Sequence, residues 1–257
     1  MGDPEPAARE NLASPEADSL PVKPGSRDST LVIHDELRRA ILSGELKQES
    51  PVSQVRLAKR FGVSRGPVRE ALRLLEREGL IEATVNQRAR VSPLSIADLE
   101  ELYAMRIIDE ALAIRIGVSR FSERELADID SILDRMDRLA GVDIDQWESL
   151  HREFHSALVA HGGVRLVRTI GQMYDHSERY RRVYITGDPR AWTVGASEHR
   201  AILAAARQRD AVAAAAALGR HLSRTALSVV ALMSPEYDPA KIRAALLQVV
   251  GTEPSTG

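Results

Sequence analysis

From residue 29 onward the apolar residues of this chain return at helical spacing almost without a break, and only the stretch 80–91 changes to a strand-like pattern. A hydrophobic period of 3.6 over most of a chain demands packed helices, with room for at most a small hairpin. The cores must be aliphatic, because only 4% of the 257 residues are aromatic. Cysteine is absent, which excludes disulfides, thiolate metal sites and thiol nucleophiles. No apolar run approaches the roughly 20 residues of a membrane span. Residues 1–28 lack the apolar core of a secretory signal. The expectation is a cytoplasmic protein with no membrane partner.

Charge divides the chain. Residues 1–28 carry 3 basic and 6 acidic side chains, residues 29–93 carry 12 and 8, and residues 94–257 carry 20 and 23. A basic module between two acidic segments suggests a nucleic-acid partner for the middle piece. The first segment, 1–28, holds five of the 12 prolines and few apolar residues, so it is expected to be disordered, as is 251–257.

Within 29–93, Leu31, Ile33, Leu37, Ile41 and Leu42 mark a helix over 31–43 that Gly44 stops. A second helix spans 54–61, with Ser53 as its N-cap and Gly62 just past its end. After a four-residue turn, Ser64 caps a third helix, with Pro67 in its first turn and Val68, Ala71, Leu72 and Leu75 on one face. Strands at 80–85 and 89–91 flank the polar tip Asn86-Gln87-Arg88. Three helices and a hairpin of this size predict a winged helix-turn-helix. Past Pro93 the chain reads as helices at 95–119, 122–140, 144–161, 164–185, 190–208, 211–233 and 238–249. That is a bundle of six or seven helices over 94–250. The fold class is mainly α.

The third helix carries Arg65, Arg69, Arg73 and Arg77, a spacing of four that winds slowly around the axis. Arg65 and Arg69 near its start suit base edges in a major groove, and the later residues suit phosphates. Arginine fits because its planar fork pairs bidentately with guanine. Arg56, Lys59 and Arg60 add charge on the preceding helix, and Arg88 and Arg90 add it at the wing. The predicted DNA-binding set is Arg56, Ser64, Arg65, Arg69, Arg73 and Arg88. The plain alternative is a solvated face on which Arg69 and Arg73 pair with Glu70, Glu76 or Glu78.

The run Val63 to Leu72, followed by Leu75-Glu76 and Glu78-Gly79-Leu80-Ile81, resembles the DNA-binding signature of the GntR superfamily of bacterial transcription regulators. Upstream, Ile41 to Leu46 and Leu57 to Gly62 fit the same signature. In the helical half, Arg106 with Glu110, Phe154-His155, Glu198-His199, Asp210 and His221 resemble the FadR-like branch with its FCD ligand-binding domain. The resemblance implies double-stranded operator DNA as partner, a homodimer, an all-helical effector domain, and often a divalent metal ion that helps hold a small carboxylate. It implies a regulator, most commonly a repressor, and no enzyme.

The residues lend the metal independent support. His151 and His155 are i and i+4, so both imidazoles leave one helix face. His199 and His221 lie on consecutive predicted helices. The predicted ligands are His151, His155, His199 and His221. The resembling family usually has Asp where this chain has His151, and a neutral imidazole favours zinc or nickel over manganese. Glu148 shares the face of His151 and His155 and is the alternative fourth ligand. Arg106 resembles the family arginine that meets an effector carboxylate; an intrahelical pair with Glu110 is its other reading. A regulator that senses metal without an organic effector, or a metal-dependent hydrolase, are the rival functions. His34, His161 and His176 are expected at the surface. Trp147, Trp192, Tyr174, Tyr180 and Tyr184 are expected to pack, with lining of the effector cavity the alternative for some of them.

Overall fold

The computed structural model describes residues 27–82 and 89–251. The expected disorder of the tails falls on 1–26 and 252–257, outside the described residues but for a residue or two at each boundary. The wing tip with Arg88 lies outside them as well. The elements follow the sequence closely. Helices α1 (Arg27–Leu42), α2 (Gln54–Phe61) and α3 (Arg65–Arg77) precede the strands β1 (Ile81–Glu82) and β2 (Arg90–Val91). Seven helices then follow: α4 (Ile96–Gly117), α5 (Glu123–Leu139), α6 (Ile144–Val159), α7 (Val164–Gly187), α8 (Ala191–Arg207), α9 (Ala211–Met233) and α10 (Ala240–Val250).

In the first unit, α1, α2 and α3 close over Ile33, Leu37, Phe61, Val68, Leu72 and Leu75. Ser53 caps α2 by accepting the Arg56 N–H, and Gly62 ends it in the left-handed region at φ 63°. Ser64 holds the N-cap position of α3, yet its side chain makes no capping hydrogen bond. The strands pair antiparallel with Ile81 opposite Val91. Residues 49–52, which carry no strand period, run along the other edge of β2, where Val52 N–H donates to Ala89 O at 2.7 Å and Val91 N–H to Ser50 O at 3.0 Å.

The second unit is a bundle around α4, which packs against α9, α10 and α7. Short polar side chains start its helices. Ser122 and Glu125 form a reciprocal capping box on α5, Asp143 caps α6, and Asp210 caps α9 by accepting from Val212 and Ala213. The buried carboxylate of Glu100 accepts the Lys241 N–H at 2.7 Å at the start of α10, where the helix dipole favours an anion.

The two units meet through α7. Glu178 takes ion pairs from Arg38 of α1 and from Arg182 one turn on. Glu78 binds both Arg38 and His34. The expectation that three histidines sit at the surface without partners needs correcting. His34 is buried, and its Nε2 lies 2.7 Å from Glu78. His176 donates to Arg77 O at 2.7 Å across the junction, and His161 bonds Glu125. Sequence spacing could not reveal partners 44 and 99 positions away.

Two glycines calibrate this junction. Gly79 has φ +68°, and a Cβ there would lie 2.9 Å from His176 Nδ1, whereas Gly44 has φ +80° and nothing within 4 Å. Gly44→Ala should cost only the backbone conformational term, roughly 1–2 kcal/mol. Gly79→Ala should cost clearly more, because His176 must also move off Arg77. Urea unfolding of both variants against the parent checks the order.

Candidate metal centre

Helix α6 buries Trp147, Leu150, Phe154 and Leu158 against the bundle, and the same face carries His151 and His155 inward. α8 brings His199 and α9 brings His221 to meet them. All four imidazoles are buried, and one ligand atom from each lies within 4.8 Å of the other three. The rings of His151 and His155 are 4.4 Å apart between centroids, and those of His199 and His221 are 4.6 Å apart. Trp147 stacks on His151 and closes one side.

The outer nitrogens are spoken for. His221 Nδ1–H donates to Glu198 at 2.8 Å, and His155 Nδ1–H donates to Glu110 at 3.3 Å. His151 Nδ1 shares a 2.6 Å hydrogen bond with the Tyr174 hydroxyl. A carboxylate on Nδ1 fixes the tautomer that leaves the Nε2 lone pair free. The Nε2 atoms of His155 and His199 are buried without any hydrogen-bond partner. Burial, reinforced by the neighbouring positive charges, drives His151 and His199 well below the ordinary histidine range. Burial likewise brings His155 down to about 4, against the pull of Glu110. Four buried imidazoles whose ring nitrogens converge in this way could bind a metal ion.

Arg106 is wholly buried beside this cluster. Its Nε donates to Glu110 at 2.7 Å and its Nη1 to Ser177 Oγ at 2.9 Å, while Nη2 has no partner. Of its two sequence readings the intrahelical pair with Glu110 forms, and it leaves Nη2 over. Burial pushes the Glu110 carboxyl up, but Arg106 and His155 more than offset this and hold it at about 2. Glu148 shares the helix face of the histidines, yet its carboxylate turns away to Arg181, with Nη2 2.8 Å distant and both side chains buried. His151, not Glu148, stands with the other three histidines.

Sequence reasoning missed Ser177 and Arg181 as parts of this site. Arg181 lies 4.0 Å above the Tyr174 ring and donates to Ser177 Oγ at 2.5 Å, so Ser177 joins the two arginines. Neither Ser177 nor Arg181 stands at a recognisable spacing from the histidines.

On the other unit, Arg56, Ser64, Arg65, Arg69 and Arg73 are all exposed. Arg73 donates to Glu70 at 3.0 Å and Arg69 lies 3.8 Å from it, so the solvated-face pairs partly form. Arg56 and Arg65 have no ion pair among the described residues.

The chain matches two family profiles, the bacterial regulatory proteins of the gntR family over residues 30–91 and the FCD domain over residues 101–224. It is 30% identical over 187 residues to the HTH-type transcriptional regulator YdhC of Bacillus subtilis (strain 168), covering 72% of this chain and 83% of that one. It is 26% identical over 196 residues to the HTH-type transcriptional repressor GlaR of Escherichia coli (strain K12), covering 72% and 89%. The solved structure of E. coli McbR/YncC shares the fold, with a TM-score of 0.66 at 21% identity over 79% of this chain and 98% of that one. YdhC and GlaR are transcription regulators, not enzymes, and the hydrolase reading falls away. No described helix is long and apolar enough to cross a membrane.

The buried pair offers a test that needs no metal. Glu148→Ala leaves the Arg181 guanidinium without its anion in the core and should cost about 3–5 kcal/mol. Replacing both residues with leucine and methionine should cost less than the two single losses combined. Chemical denaturation of the three variants measures this.

Proposed function

This chain belongs to the gntR family of bacterial regulatory proteins and carries an FCD domain, and on that premise we propose a cytoplasmic, homodimeric repressor. In this reading, residues 29–93 bind operator DNA, and residues 94–250 bind a small carboxylate beside a divalent metal ion and pair the two copies. The observation that carries it is the convergence of four buried imidazoles whose free nitrogens lie within 4.8 Å. His151, His155, His199 and His221 would hold zinc or nickel. Bound there, the ion supplies a fixed positive charge for the effector carboxylate. The spare Nη2 of Arg106 is the second anchor for that carboxylate, with Glu110 and Ser177 fixing the guanidinium plane. Repression is supported by the likeness to the repressor GlaR of Escherichia coli. A cytoplasmic setting follows from that of transcription itself.

Arg65 and Arg69 at the start of α3 read base edges. Arg56, Ser64, Arg73 and Arg88 hold the DNA backbone. A symmetric dimer then reads a pseudo-palindrome, one half-site per copy. The outer face of α4 supports pairing of copies: Met105, Ile108, Leu112 and Ile116 recur one helical turn apart and are 37–53% exposed. A solvent-facing aliphatic stripe of this kind marks an interface.

Four measurements test the reading. Elemental analysis of the purified chain should find about one zinc or nickel per chain, since one four-histidine site holds one ion. His155→Ala, His199→Ala and His221→Ala should each empty it. A His199→Ala His221→Ala double variant that keeps stoichiometric metal ends the metal reading. Arg65→Ala and Arg69→Ala should each weaken binding to a selected operator by about 1–3 kcal/mol per base contact, with metal content unchanged. Leu112→Glu should move the chain from dimer to monomer in sedimentation velocity, since a buried charge replaces an aliphatic contact. Zinc or nickel titration of operator binding, with no organic acid present, separates a pure metal sensor from an effector-gated regulator.

A further inference from the structure

A cleft of about 710 Å³ opens between the two units, away from the histidine cluster. Its floor is aliphatic: Ile41, Leu42 and Leu46 from the end of α1 and its following loop, Leu94 of the linker, Ile144 of α6 and Val183 of α7. Each of the six is left partly exposed. The rim is cationic, with Arg39, Lys47, Arg179 and Arg182 against one carboxylate, Asp145.

The cations are not all satisfied. Arg182 is paired with Glu178 and Asp145, and Arg39 lies 3.5 Å from Glu45. Lys47 has no ion pair among the described residues. Arg179 donates to Pro93 O at 2.9 Å and to Asp98 at 3.2 Å, but its Nε is buried without a partner. A lysine without an ion pair and an arginine with an open donor line one concave aliphatic floor of ligand size, which calls for a molecule with one apolar and one anionic end.

We propose that this cleft is a second ligand site, which takes an amphiphilic organic anion: an aryl or short-chain alkyl carboxylate or sulfonate. The apolar body lies on Leu46 and Val183, and the anionic end meets Lys47 and Arg179. A multiply charged hydrophilic ligand would leave the aliphatic floor wet, and a neutral one would leave Lys47 unmatched. An occupant touches α1, the linker and α7 at once, so it fixes the winged unit against the bundle. The site therefore adds a second input to DNA affinity that needs neither the metal nor Arg106.

The test uses anilinonaphthalene sulfonate, whose fluorescence reports transfer of an anionic aromatic body out of water. It is titrated into the full chain with chelator present, against the parent, Lys47→Glu and Thr186→Glu. Both positions line the cleft and are solvent-exposed, so both variants should fold. Circular dichroism verifies that. The parent should bind one dye per chain saturably, competed by benzoate. Each variant should weaken binding about tenfold or more, as expected when an attractive ionic contact is lost or becomes a repulsive one. His199→Ala should bind like the parent, which separates this site from the proposed metal centre. Unchanged affinity in both charge variants, or non-saturating binding of many dyes, overturns the proposal.

Discussion

Two arginines and two glutamates without access to water dominate the bundle interior, and their need for partners organises everything around them. Arg106 and Glu110 neutralise one another, as do Arg181 and Glu148, and Ser177 accepts from both arginines. A buried charge without a counter-charge costs several kcal/mol, so none of these side chains can turn away independently. Glu110 uses its second oxygen for His155. The electrostatics of the core therefore dictate which nitrogen of that histidine carries its proton, and hence which one faces the cluster. The metal-binding chemistry of the site is a consequence of how the charges are stored.

The same constraint explains why α7 is the element that can carry a signal. One side of it, Tyr174, Ser177 and Arg181, touches the site residues. The other, His176, Glu178 and Arg179, holds α3, α1 and the linker. A helix packed at crystal-like density transmits displacement as a rigid body rather than absorbing it. Any ligand that pulls on Arg106 pulls on Ser177, one residue before Glu178 and its ion pair with Arg38. Allosteric control of DNA needs a coupling of only about 1–3 kcal/mol. That is the worth of one or two contacts of this kind.

How much of this was legible in the sequence depended on range. The helices were, because apolar spacing, Ser53, Asp143, Asp210 and the glycines act within one or two turns. The four histidines were too, since two of them share one helix face and the family pattern supplied the others. The charge pairs across helices were not. Glu148 stands at the right spacing for a ligand, and nothing local says that Arg181, 33 residues on, will claim it. His34 and His176 looked like surface residues because their partners belong to other elements. Local codes were readable, whereas the assignment of buried charges to one another is settled only by tertiary packing.

The charge balance also bears on what the site must hold. Arg106 cancels Glu110, Arg181 cancels Glu148, and the four histidines are driven neutral by burial. The core as it stands is close to zero net charge. None of the four histidines would bring a negative charge toward a cation placed among them. A divalent cation alone would leave two uncompensated positive charges in a low-dielectric interior, which is expensive. A carboxylate arriving with the ion, or after it, reduces that cost and meets the spare donor of Arg106. Linkage then requires that each raise the affinity of the other by the same factor. On the function proposed above, an organic anion offsets the charge of an ion held by four neutral imidazoles, so metal and effector depend on one another.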